Sequence, residues 1–64
     1  MNIFDRHNNV VARTEEYGDG SVHVYDEHHN IMGYVKYDGT YDAHHHKLSS
    51  ERHAAILYGH LLND

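Results

Sequence analysis

Three stretches of this chain are copies of one another, and that repetition constrains the fold more than any other feature. Phe4-Asp5-Arg6-His7-Asn8-Asn9-Val10-Val11-Ala12, Tyr25-Asp26-Glu27-His28-His29-Asn30-Ile31-Met32-Gly33 and Tyr41-Asp42-Ala43-His44-His45-His46-Lys47-Leu48-Ser49 share one pattern. An aromatic and an Asp are followed by a polar run of His and Asn, then by two mostly apolar residues and a small one. In such a unit the aromatic-Asp pair ends one short strand, the apolar pair begins the next, and the residues between form a hairpin loop. The loop position farthest along is Asn9, Asn30 and His46. Asn and His are among the few non-glycine residues enriched at positive φ, and Asp bonds readily to the backbone two residues on.

The copies are joined by Tyr17-Gly18-Asp19-Gly20-Ser21 and Tyr37-Asp38-Gly39-Thr40. Asp-Gly between β-favouring residues is a strong signal for a type I′ hairpin, whose two central residues need φ > 0. Strands are expected near 2–5, 10–17, 21–26, 31–37 and 40–43, with Lys47-Leu48 a stub, and no Pro interrupts them. After Leu48 the period changes. Ser49-Ser50-Glu51 has the form of an N-cap with an acidic first turn, and Ala54, Leu57, Tyr58, Leu61 and Leu62 fall at helical spacing, which predicts a helix over 50–62. Asn63 and Asp64 read as a frayed tail. The expected fold is α+β: an antiparallel β-meander of about five short strands with one C-terminal helix packed on one face. It forms a single domain over 1–64, divided into a meander of three hairpin-like repeats (1–48) and a helical segment (49–64).

Alternation along strands sorts the residues onto two faces. Val10, Ala12 and Thr14 align with Ile31, Gly33 and Val35 in an apolar and small column, assigned here to the helix-covered core. Val11, Arg13 and Glu15 align with Met32, Tyr34 and Lys36 in a mixed column. Ile3, Val22 and Val24 take one side of the preceding strands, and Phe4, His23, Tyr25 and Tyr41 the other. A helix of about thirteen residues is roughly 20 Å long and covers one face only. The other, carrying Phe4, Tyr25, Met32, Tyr34 and Tyr41, is expected to be an exposed aromatic patch of the kind that marks an interface.

A chain of 64 residues buries only about 60% of the surface its unfolded form exposes, so help from a partner or a second copy is a reasonable expectation. The absence of Cys removes disulfides and thiolate metal sites. Ten acidic residues against five basic ones give a net charge of −5, which disfavours a footprint on a nucleic-acid backbone. No segment has the length of a membrane span or the pattern of a signal peptide. The expectation is a cytoplasmic protein with no direct nucleic-acid or membrane partner.

Nine His are the compositional outlier. Asp26, His28, His29, Asp42, His44, His45 and His46 offer imidazole and carboxylate groups suited to Zn, Ni or Cu. Adjacent side chains in a hairpin loop diverge, however, so a site would have to combine loops or subunits. Turn geometry accounts for the same residues without a metal, and pH sensing is a third reading. For catalysis the residues offer little. Ser50 and His53 stand one helical turn apart but are explained as helix-start residues; Glu15 and Glu16 alternate faces; Gly18-Asp19-Gly20 lacks the helix that a phosphate loop needs. His60 suits the carbonyl end of a helix. No cofactor is implied beyond the metal alternative.

The unit Tyr25-Asp26-Glu27-His28-His29-Asn30-Ile31-Met32-Gly33 resembles the YD-type repeats of long bacterial arrays, whose units carry a Tyr-Asp pair, a turn and a short apolar strand. Here His or Asn replaces the expected turn Gly, and the chain is too short for an array that encloses anything. The resemblance implies repeated β-hairpins and no activity. The residues together point to a small acidic non-catalytic protein-interaction module, self-associating through the uncovered aromatic face or a sheet edge. A His-rich transition-metal binder is the second reading, and an acidic decoy of a nucleic-acid-binding protein the third. Protonation of all nine His would carry the formal charge from −5 to +4 across the estimated pI of 5.9. Solubility or association is therefore expected to change steeply between about pH 5 and 8, where imidazoles titrate; turbidity and sedimentation traces that stay flat over that range would contradict it.

Overall fold

Hairpin chemistry repeated five times leaves the chain one simple path, each strand lying beside its predecessor. In the computed structural model, which describes residues 1–62, six strands form one antiparallel meander in sequence order: β1 (Asn2–Phe4), β2 (Val10–Glu16), β3 (Val22–Asp26), β4 (Ile31–Lys36), β5 (Gly39–Asp42) and β6 (Lys47–Ser49). The expected stub is thus a sixth strand rather than an end to the fifth. A short helix, α1 (Ala55–Tyr58), runs into a 3-10 turn over Gly59–Leu62. The Asn63-Asp64 tail lies outside the described residues.

Each repeat ends in a register shift at its aromatic residue. Ile3 pairs with Ala12 but Phe4 with Val10; Val24 pairs with Gly33 but Tyr25 with Ile31; Thr40 pairs with Ser49 but Tyr41 with Lys47. Val11, Met32 and Leu48 are therefore the extra residues of three equivalent β-bulges, which bend the strand and strengthen its twist. Strict alternation does not run through a bulge. Val10 and Ile31, grouped above with the core column, lie beyond it opposite Phe4 and Tyr25, and both are only half-buried.

On the covered face the core is small: Ala12, Thr14, Val24, Gly33, Val35, Gly39, Thr40 and Leu57 are buried. Gly33 is required for close approach. A Cβ there would strike the carbonyl oxygen of Tyr41 and lie 2.7 and 2.9 Å from the two methyls of Leu57. Leu57 is the one buried residue of α1, so the missing Gly33 side chain is the seat of the helix.

The helix is shorter than the expected 50–62 because its first turn is claimed by the sheet. The fully buried Thr40 hydroxyl donates to the carbonyl of Glu51 (2.6 Å) and accepts from the amide of His53 (3.2 Å). Arg52 Nε donates to the carbonyl of Lys36 (2.9 Å) and Nη2 to that of Gly20 (2.7 Å). These bonds hold 51–53 against the sheet in a non-helical path, and tertiary context overrides helix propensity. Ser49 Oγ accepts from the amide of Glu51 (3.0 Å) as a local turn, while the N-cap of α1 is Ala54, which supplies no side-chain cap. Ser50 and His53 accordingly lie before the helix, not one turn apart on it.

Gly33→Ala should lower unfolding stability by about 1–3 kcal/mol, the usual cost of overpacking a fitted site. Gly18→Ala, with nothing within 4 Å of the added atom, should cost nothing. Paired urea titrations check both; equal midpoints for the two variants would refute the seat assigned to Gly33.

Candidate functional site

A carboxylate one residue after each aromatic builds the loops that flank the open face. Asp5 Oδ1 accepts the amides of His7 and Asn9 (2.8 and 3.0 Å). Asp26 Oδ1 accepts those of His28 and Asn30 (2.8 and 2.9 Å), and Asp42 Oδ1 those of His44 and His46 (2.9 and 2.8 Å). The backbone closes the same ring each time, as in Asp26 N–H to the carbonyl of Asn30 and His29 N–H to that of Asp26. Only a left-handed residue three positions after the Asp completes this path, and Asn8, His29 and His45 have φ of 66°, 68° and 65°. The left-handed residue is thus one place earlier than Asn9, Asn30 and His46. It terminates a three-residue hairpin loop. The Tyr17–Ser21 link has the same backbone bonds with Gly20 (φ 90°) in that slot. Neither Asp-Gly link is a type I′ turn, since Asp19 and Asp38 keep negative φ; Gly39, at φ 153°, opens β5 where a Cβ would strike the carbonyl of Ser49.

These loops bracket a cross-strand row in which Glu15, His23, Tyr34, Tyr41 and Lys47 stand opposite one another on five successive strands. The next row pairs Arg13 with Tyr25. Within the row the rings of His23 and Tyr34 are in contact. His23 meets Tyr34 edge-on at 4.9 Å between centroids and lies 4.4 Å from Tyr17. Lys36 Nζ sits 4.9 Å above Tyr41 and 5.8 Å from Tyr34. Such ring-edge, ring-stack and cation–ring contacts are each worth about 0.5–1.5 kcal/mol. Beside them opens a groove of about 540 Å³ lined by Asp19, Ser21, His23, Tyr34, Lys36, Tyr37 and His45.

Both left-handed histidines fold over this face. His45 stacks on Tyr34 at 4.5 Å and 8°, with Lys36 Nζ 3.4 Å from its Nδ1. His29 lies 6.3 Å from Tyr25, with the Arg13 guanidinium against its Nε2. The carboxylates are spent on structure. Asp5, Asp26 and Asp42 are held below their ordinary value of 3.8, chiefly by the amides of Asn9, Asn30 and His46 and then by those of His7, His28 and His44, with desolvation opposing. Asp38 accepts the Tyr41 hydroxyl at 2.8 and 3.0 Å, which raises the phenol. Tyr17 is pushed up to about 12 by the neighbouring Tyr25 hydroxyl, by burial and by Glu15.

Of the residues expected at an interface, Tyr25, Tyr34 and Tyr41 occupy adjacent strands and are half-buried. Met32 is the half-buried extra residue of a bulge. Phe4 is half-exposed on the edge strand, with two strands between it and that of Tyr34. The face is less apolar than anticipated, because imidazoles and cations are interleaved with its rings. Of the candidate metal ligands, His28, His29, His44, His45 and His46 are all exposed, and Asp26 and Asp42 are bound to loop amides. Among the described residues no three His, Asp or Glu side chains lie where one metal ion could join them. His23, Lys36, Tyr37 and His45 belong to the site although the interface reading passed over them. Alternation already places His23 beside Tyr25, but nothing local signals that His45 reaches across to β4. No helix among the described residues is long and apolar enough to cross a membrane.

No protein-family model matches the chain, and neither a curated protein nor a solved structure does.

A carboxyl lowered on folding stabilises the fold above its unfolded value and loses that contribution as pH falls through the folded value. Acid unfolding should therefore set in only below about pH 4, as Asp5, Asp26 and Asp42 are protonated. Asp26→Ala should be destabilised already at pH 7, with a flatter response between pH 4 and 2. Circular dichroism during acid titration checks this; equal acid midpoints and pH 7 stabilities in parent and variant would refute the role of the loop carboxylate.

Proposed function

We propose that this chain is a small, non-catalytic protein-interaction module that pairs with a copy of itself through the open aromatic face of its sheet. The observation that carries this reading is the row Glu15–His23–Tyr34–Tyr41–Lys47, contiguous across five strands on the face away from Leu57. Beside it Tyr37 is 89% exposed. Tyrosine-rich surfaces supply contact area at low conformational cost and are favoured at interfaces.

The row also carries opposite charges at its ends. A two-fold axis through its middle, parallel to the strands, sets Glu15 of one copy opposite Lys47 of the other, and an isologous contact needs that kind of self-complementarity. The edges are poorer candidates: β1 and β6 are three residues each, and short edge strands offer few unpaired backbone groups. With each copy at −5, added salt should strengthen pairing by screening long-range repulsion.

Analytical ultracentrifugation tests the proposal. The parent chain should show a concentration-dependent dimer, and Tyr34→Ala should weaken it about tenfold or more, as loss of a central aromatic contact does. Glu15→Lys and Lys47→Glu should each weaken pairing, and mixing these two variants should restore it. A strict monomer at millimolar concentration, or a mixture no better than either variant alone, would defeat the proposal.

A further inference from the structure

The groove beside the row is bordered by two links at one end of the sheet. Asp19 and Ser21 stand on the β2–β3 link, while Lys36 ends β4 and Tyr37 begins the turn to β5. Arg52 fastens the two borders together: its Nε donates to the carbonyl of Lys36 (2.9 Å) and its Nη2 to that of Gly20 (2.7 Å). The groove is thus formed before anything enters it, as small-molecule sites usually are. Its volume of about 540 Å³ lies within the range of about 300–1,000 Å³ that such sites span.

Two features define what fits. The first is charge. Lys36 Nζ carries three donors; it lies 3.4 Å from His45 Nδ1, and 4.9 and 5.8 Å from the ring centres of Tyr41 and Tyr34. Among the described residues no carboxylate pairs with it. Asp19, the one carboxylate lining the groove, already accepts the Ser21 amide and hydroxyl on Oδ1 (3.0 and 2.7 Å). Asp38 accepts the Tyr41 hydroxyl and lies 3.9 Å from Lys47. The second feature is a ring. Tyr34 is already stacked by His45 and met edge-on by His23, but Tyr37 lines the groove and is 89% exposed, which leaves it open to a planar partner.

We propose that this groove binds a small aromatic anion, a planar ring carrying a carboxylate or a phosphate: Lys36 holds the anionic group and Tyr37 stacks on the ring. The site adjoins the face assigned above to pairing and does not rest on it. The net charge of −5 repels anions at long range, but at physiological salt that field is screened beyond about 8 Å, so the contact with Lys36 decides. A hydrogen bond between opposite charges contributes roughly tenfold or more in affinity, and an exposed ring stack roughly twofold to tenfold. In an open groove, the two together correspond to a dissociation constant on the order of 1 mM.

Titration of the chain at micromolar concentration with benzoate and with phenyl phosphate, followed by amide NMR, tests the proposal. The amides of Ser21, His23, Lys36 and Tyr37 should shift saturably with one probe or both, and which of them binds tells carboxylate from phosphate. Benzyl alcohol has the ring without the charge, and acetate and inorganic phosphate have the charge without the ring; each should bind several-fold more weakly. Lys36→Met should weaken the aromatic anions about tenfold and leave benzyl alcohol unchanged, whereas Lys36→Arg should retain them. Tyr37→Ala should bring benzoate and phenyl phosphate down to the level of acetate and inorganic phosphate. Amides outside the groove report whether each variant is folded, and the comparison among probes on the parent chain decides even where a variant is not. No saturable shift with either aromatic anion, benzyl alcohol binding as tightly as they do, or undiminished affinity in folded Lys36→Met would overturn the proposal. Pairing measured separately in the ultracentrifuge can fail without touching these results.

Discussion

One carboxylate oxygen accepting two amides is the interaction on which the rest of the structure depends. In each repeat the Asp gathers the N–H groups two and four residues on, and these donors would otherwise be left to water at a tight turn. Closing that ring places a left-handed residue three positions after each Asp. Each of these three loops is followed by a bulge, at Val11, Met32 and Leu48, whereas the Tyr17–Ser21 loop closes the same ring and its strands pair in unbroken register. Three aspartates thus shape the loops that follow Phe4, Tyr25 and Tyr41.

The two faces then meet different needs. The covered face is closed by small side chains and by one bond network rather than by a large apolar mass. Gly33 admits Leu57, and the Thr40 hydroxyl ties down the segment before α1. Four helical residues could not otherwise stay on a sheet, since isolated helices of that length do not form in water. The open face has no such lid. Its rings cover each other, with histidine serving as a partner for tyrosine and for cations. That suits a surface able to remain hydrated alone and still offer flat aromatic area to another molecule.

The histidines, prominent in the composition, divide by position rather than by type. His7, His28 and His44 donate amides to loop carboxylates, and their rings are exposed. His29 and His45 occupy the strained slot and fold back over the sheet. His23 sits within a strand as one more ring of the row. A reading by residue type puts His28, His29, His44, His45 and His46 together as ligands; hairpin geometry sends neighbouring side chains in different directions and separates them.

What the sequence by itself determined is the meander, its six-strand order up to one uncertain stub, the hairpins, and which alternate residues share a face. Those features rest on contacts within about five residues, between an Asp, its loop amides and an aromatic neighbour, and local contacts are written in local sequence. The tertiary structure alone decided the rest. The helix lost its first turns because Thr40 and Arg52 bind 51–53 across separations of 11 to 32 residues. The core lost Val10 and Ile31 because a bulge breaks the alternation that assigned them. His45 met Tyr34 and Lys36 because the β5–β6 loop folds back past β5 onto β4. In each case the deciding bond joins groups whose proximity exists only after the strands have paired.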